Sequence, residues 1–435
     1  MLNKKGLLSI LFWSVISAAF IGPGTVTTAA AAGALYHTDL LWTLTFSTIA
    51  CIFLQEASAR ITIGSGKNMG EAIAEKYGEK SKWIKLLLSI SIIFGCVAYQ
   101  TGNILGAISG LGLIYDIHPS IFTALIVMVG ALLLWFGNYK NVAHFMGIIV
   151  GIIGVGFCTV ALQLDWSALT VIKSAFTPSL PTGSGIYVIS LIGTTIVPYN
   201  LFLASGISQG QTIKEMRFGI SIAILIGGII SMAVVLVGTS INGDFTFQAL
   251  AQSMSATLGA GAEYLVGIGL FAAGFTSSIT APLAAAITAQ SIWGKSDDKW
   301  GTTSFNYRSI WILVLVTGLI FGMLNLKPIP VIILAQAING FLLPLIAYFL
   351  IILVNDPKLL GHHLLNSALT NLIMYLVVGV STFIGLINLF KVFYLLFDKE
   401  FDANNIEISI ISFFTLALIG FTIKKVRALK FVNPD

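Results

Sequence analysis

The chain reads as a succession of long apolar runs separated by short polar segments. A helix needs about 20 apolar residues to cross the hydrocarbon layer. By that measure twelve spans are expected, near residues 7–35, 40–64, 84–114, 119–138, 142–164, 184–210, 218–241, 260–292, 308–326, 329–354, 366–390 and 406–423. The first run is too long for the apolar region of a cleavable signal and is read as a span. The largest polar stretches, the amphipathic Lys67 to Lys85 and the short Gly294 to Asn306, leave no room for a soluble domain. The expected fold class is an all-α polytopic membrane protein, a single transmembrane domain over residues 1–435.

Two spans carry proline at their middle among glycine and polar neighbours. They are Phe20-Ile-Gly-Pro-Gly-Thr-Val-Thr-Thr28 in the first and Gly193-Thr-Thr-Ile-Val-Pro-Tyr-Asn200 in the sixth. A single proline kink is common in membrane helices. Matched breaks at Pro23 and Pro198 are instead explained by a 5+5 inverted repeat, residues 7–164 against 184–354, with residues 366–423 adding two further spans. Unwound backbone is tolerated at membrane depth only where it is enclosed or lines a cavity. Paired interruptions in two repeats therefore point to a binding site between them, as in secondary carriers.

Composition agrees, with 57% hydrophobic and 9% charged residues against roughly 25% charged in a soluble domain. The formal charge of +5 raises the question of an anionic macromolecule, but the basic residues are scattered through short loops, so no nucleic-acid partner is expected. Their distribution reports topology. With the N-terminus inside, only Lys173, Lys327, Lys391 and Lys399 of the 23 basic residues fall outside, which places both termini in the cytoplasm and the protein in the cell membrane. Cys51, Cys96 and Cys158 lie in apolar runs with no metal or disulfide spacing, and His37, His118, His144, His362 and His363 lie in loops or at a span end with no acidic or cysteine cluster. No nucleophile, base and orienting group occur together, so an enzyme is not expected.

The chain resembles the Nramp family of metal-ion transporters, which have the LeuT-type fold. The resemblance is carried by Gly66-Lys-Asn-Met-Gly-Glu71, Val197-Pro-Tyr-Asn-Leu-Phe-Leu203, Ser277-Ser-Ile-Thr280, Leu334-Ala-Gln336, Pro344 and Asn355-Asp356. It implies alternating access, with the bundle holding spans 1 and 6 rocking against the rest. The family's metal motifs, Asp-Pro-Gly-Asn and Met-Pro-His, stand here as Gly22-Pro-Gly-Thr25 and Val197-Pro-Tyr199. Two acidic positions of its third span appear as Gln100 and Asn103, and a second histidine position as Ala204. Of the acids left inside spans, Glu56 sits four residues from Arg60, the spacing of a helical ion pair, and Glu263 lies near a span end.

The expected substrate site therefore comprises Gly22, Gly24, Thr25, Thr28, Val197, Tyr199, Asn200, Gln100, Asn103 and Gln336, with no metal ligand set and no cofactor. Manganese or iron calls for carboxylate, imidazole or thioether donors. Helix starts near Thr25 and Tyr199 offer N–H groups to an anion, and the glycines admit close backbone approach to a compact ligand. The first expectation is a small inorganic anion such as bicarbonate, carried by a monomer in the lipid bilayer. Sodium is the candidate coupling ion, at a position that the fold resemblance sets at Gly22 and the hydroxyls of Thr276, Ser277, Ser278 and Thr280. The alternatives are a divalent cation of the manganese or magnesium type, and a non-transporting sensor or channel-like protein.

Overall fold

The computed structural model describes residues 21–78, 81–116, 118–137, 139–294, 298–395 and 405–430. The first half of the first span, residues 7–20, lies outside the described residues. The second half is α1, Pro23–Tyr36, followed by α2, Leu41–Ser65, α3, Met69–Tyr77, α4, Ser81–Gly112, α5, Pro119–Phe136, and α6, Tyr139–Gln163. After α7, Ala168–Phe176, the sixth span comes as α8, Gly185–Thr195, and α9, Pro198–Ile207. Then follow α10, Ile213–Gly238, α11, Phe247–Leu258, α12, Ala262–Trp293, α13, Phe305–Met323, α14, Pro328–Leu353, α15, Pro357–Leu360, α16, Ala368–Leu395, and α17, Asn405–Lys430.

Among the described residues ten helical segments, α8 and α9 counting as one, are long and apolar enough to cross a membrane. The second span, α2, is 25 residues long and differs in having its polar Gln55, Glu56 and Arg60 buried inside the protein. The second half of the first expected span and the other eleven have a helical counterpart, most with ends shifted by a few residues. The expectation did not include α7 and α11, nor a regular helix within 67–85. Sequence devices explain the last of these: Asn68 accepts from the Glu71 N–H while the Glu71 carboxylate accepts from the Asn68 N–H, a reciprocal cap that starts α3.

The broken spans are held at the centre. Their neighbours are α10 and α14 on α1, α14 on α8, and α2 and α12 on α9, while α4 and α12 form the most extensive helix pair in the molecule. Small residues set these spacings, as in membrane interfaces generally. The run Ala29 to Gly33 lies against α10 so closely that a side chain at Gly238 would overlap the Ala30 carbonyl.

Polar residues tie one end of this bundle. Glu56 accepts from Arg60 at 3.1 Å and from Arg217 at 2.8 Å. Arg60 also donates to the Leu364 carbonyl and, at 2.5 Å, to Asn366 Oδ1. Asn366 donates to Asn371 at 3.0 Å, and Asn371 exchanges bonds with Asn355. The helical ion pair read from the sequence is present, enlarged to a network joining α2, α10, α16 and the turn that follows α14. Replacing Glu56 by alanine strands a buried guanidinium and is expected to cost about 3–5 kcal/mol, whereas Lys67→Ala, which removes an exposed pair with Glu75, should cost under about 1 kcal/mol. Melting temperatures of the two purified variants test the contrast.

Candidate substrate site at the paired helix breaks

Both breaks follow one local rule. The residue before proline is driven to extended backbone, and proline is then accommodated at the first helical position, where a missing N–H does no harm. Gly22 (φ −81°, ψ 171°) precedes Pro23, and Val197 (φ −81°, ψ 119°) precedes Pro198. The chain turns through Ile196, whose N–H still donates to Ile192 at 2.8 Å, before α9 begins. Val26 donates to the Gly22 carbonyl and Asn200 to the Val197 carbonyl. Gly24 and Tyr199, in the first turns, have no acceptor within their own helices.

Side chains from four further elements close around these starts. Thr25 Oγ1 and Thr194 Oγ1 share a hydrogen bond of 2.8 Å, linking the two broken spans directly. Tyr99 of α4 meets Tyr199 edge to face, with ring centroids 5.5 Å apart. A Cβ at Gly22 would stand 3.4 Å from the Tyr99 hydroxyl and 3.5 Å from Ser277 Oγ of α12. On the other side the Gln336 amide of α14 occupies the space that a side chain at Gly24 would need.

The polar groups gathered here are buried and largely unpaired. Tyr99, Tyr199, Ser277 and Gln336 here, and Thr27, Thr28 and Asn200 further along α1 and α9, are each at most 1% exposed, and their side-chain oxygens and nitrogens make no hydrogen bond of ordinary geometry. Each such group costs about 1–3 kcal/mol when left unsatisfied. This concentration of buried, unpaired polar groups at the two breaks makes them the candidate site. Its side chains are uncharged, and among the described residues no three His, Cys, Asp or Glu side chains are grouped to hold a metal ion. Of the soft donors, Cys51 donates to the Thr195 carbonyl at 3.5 Å and Cys96 lies one turn before Tyr99 on α4.

The sequence set is only partly assembled. Gly22, Gly24, Thr25, Tyr199 and Gln336 meet as expected, with Val197 forming the break and Thr28 and Asn200 buried close by along α1 and α9. Gln100 does not join them. One residue along α4 turns the side chain by about 100°, and Gln100 packs on Gly318 of α13, its Cγ 2.7 Å from the position of a Cβ there. Asn103 follows Tyr99 by one turn, with its carbonyl against Gly274 of α12, and both amides are buried and unpaired. The candidate sodium hydroxyls also separate. Thr276, Ser278 and Thr280 donate to carbonyls of their own helix, and only Ser277 stands free beside Gly22. Sequence reasoning passed over Tyr99 and Thr194. Nothing in the pattern along α4 marked Tyr99 rather than its neighbours as facing the breaks.

Comparison with known proteins agrees with this architecture. A family model described as natural resistance-associated macrophage protein-like (Nramp) matches residues 14–391. A curated relative from Bacillus subtilis, named divalent metal cation transporter MntH, is 26% identical over 87% of this chain and 92% of its own length. Another of that name, from Verminephrobacter eiseniae, is 26% identical over 63% of this chain and 66% of its own. Crystal structures of an Eremococcus coleocola manganese transporter superpose with a TM-score of 0.71 at 17% identity, covering 96% of this chain and 94% of that one. A nucleobase-cation-symport-1 family transporter superposes at 0.56.

Close packing around the breaks sets a test. Gly193→Ala would press a methyl group into the backbone of Gln336 and Gly340, and is expected to lower stability by about 1–3 kcal/mol. Gly22→Ala meets its neighbours at ordinary contact distance and should stay within about 0.5 kcal/mol of the parent. Thermal unfolding of both proteins is the measurement.

Proposed function

Since this chain belongs to the Nramp family, we propose that it is a secondary transporter that carries a small inorganic ion across the membrane by alternating access, with the ion held between the breaks at Pro23 and Pro198. For the cargo, the carrying observation is the uncharged character of the cage. Gly22, Thr25, Val197 and Tyr199 supply no carboxylate, imidazole or thioether, and a neutral set of hydroxyls and amides offsets little of the dehydration cost of a divalent ion. The same set, facing two helix starts with their partial positive charge, suits a compact anion. We therefore read the cargo as a small inorganic anion of bicarbonate size.

Moving an anion into a negative-inside cell costs about 2.3 kcal/mol per 100 mV. An accompanying sodium ion would offset it, and Ser277 beside Gly22 supports such a position. Thr276, Ser278 and Thr280 have oxygen lone pairs to contribute, although their protons are engaged on α12. The distribution of basic loops supports cytoplasmic termini in the cell membrane, and the reading needs no more than a monomer.

The second reading is a divalent cation, and the comparisons favour it over the first. Every curated relative named above is a divalent metal cation transporter, one of them aligned over most of both chains. Under this reading the ion is held weakly and partly hydrated by backbone carbonyls with Thr25, Tyr199 and Asn200.

Uptake into proteoliposomes separates the two, with labelled bicarbonate compared with manganese and magnesium, each with and without an inward sodium gradient. Sodium-stimulated bicarbonate accumulation without metal flux is the expected result, and metal flux alone would overturn the anion reading. Gly22→Asp sharpens the comparison: a buried carboxylate beside Tyr99 and Ser277 should abolish anion uptake and strengthen divalent-ion binding. Tyr199→Phe is expected to reduce uptake at least tenfold, corresponding to the loss of about 1.4 kcal/mol, and unchanged uptake would remove that hydroxyl from the site.

A further inference from the structure

We propose that α3 is a latch. It holds the end of α9 remote from the break through Ser205, and is itself fastened by Lys76 to Asp356 in the turn after α14, so that parting this ion pair opens the breaks toward the membrane face on which α3 lies. The proposal rests on the alternating-access reading above and holds whichever ion is carried.

One end of α3 is bonded into the sixth span. The N–H of Met69, its first residue, has no acceptor within its own helix and donates to Ser205 Oγ of α9 at 2.8 Å. The same hydroxyl, in a serine 1% exposed, shares a bond of 2.8 Å with Thr62 of α2. Ser58 of α2 donates to the Leu201 carbonyl, and Ser208 to the Ala59 carbonyl at 3.3 Å. The end of α2 and the start of α3 therefore follow α9. The first turn of α3 also rests on α12, where a Cβ at Gly70 would stand 2.5 Å from the Ser291 carbonyl, and this contact serves as its pivot.

The other end is fastened elsewhere. Lys76 pairs with Asp356, and Tyr77 meets Phe349 of α14 edge to face with ring centroids 5.7 Å apart. The two charged side chains are at most 15% exposed, so solvent ions screen them less than the open Lys67–Glu75 pair. Asp356 is held in place by accepting from the Lys358 N–H at 3.0 Å, which leaves Lys76 as the partner that moves. Cavities flank α3 on two sides, about 380 Å³ beside Ala72, Lys76 and Leu429 and about 610 Å³ beside Ala74, Gly78 and Ile292. A helix of nine residues, about 13 Å long, pinned at its ends with room on its flanks, swings as a unit once one pin is drawn. Ser205 carries that swing to α9.

The test is access to the breaks. In the full chain with Cys51, Cys96 and Cys158 replaced by alanine, Ser277→Cys puts a single thiol beside Gly22, at a position 1% exposed. Its rate of reaction with a charged, membrane-impermeant methanethiosulfonate reagent is measured in membrane vesicles of both orientations. Lys76→Met and Asp356→Asn are each expected to raise the rate about threefold or more from the face carrying α3, and to leave it unchanged from the other. Lys76→Arg should keep the parent rate, and the double variant should react no faster than either single one, since both remove the same bond. With Ser205→Ala also present, Lys76→Met should no longer change the rate, because α3 is then uncoupled from α9. Unchanged rates in Lys76→Met and Asp356→Asn would overturn the proposal, as would a rise from both faces, the mark of general loosening. Thiol access is read without any cargo, so a parent protein that takes up neither bicarbonate nor metal counts against the transport reading and not against the latch.

Discussion

A peptide group inside the hydrocarbon layer has no water to turn to, so a span that stops being helical halfway must be enclosed by protein. Much of this architecture answers that demand. The unwound residues Ile196 and Val197, and Gly22 before α1, are fully buried behind α2, α4, α10, α12 and α14. Enclosure in turn requires helices to approach at backbone distance, which is why alanine and glycine fill the contact faces of α1 and α10, and why Gly193 lies against the backbone of α14. The breaks and the small residues around them are one feature.

The fold was legible because its signals are long and redundant. Runs of some 20 apolar residues tolerate errors at their ends, and proline within an apolar run is conspicuous. Shorter elements were harder to read. The amphipathic helices α7 and α11 have 9 and 12 residues, too few for periodicity to distinguish them from polar loops. The site was legible where its residues share the breaks, as with Gly22, Thr25 and Tyr199. It was not legible where it depends on the rotation of a distant helix, since position along α4 alone did not reveal that Tyr99 faces the breaks while Gln100 faces α13.

Charge has been distributed with corresponding care. The strongest pairings, Glu56 with Arg60 and Arg217, and Lys76 with Asp356, lie away from the breaks. The centre is left to hydroxyls and amides. Neutral groups of this kind discriminate by geometry and by the balance of donors against acceptors, whereas a carboxylate would impose the sign of the ligand from the outset.

The hydrogen bond between Thr25 and Thr194 has a mechanical consequence. It joins the start of one half-helix to the end of another, so a tilt of either broken span is resisted by the other. In the proposed transport cycle that link would hold the donors on the two spans at one spacing while the surrounding helices move.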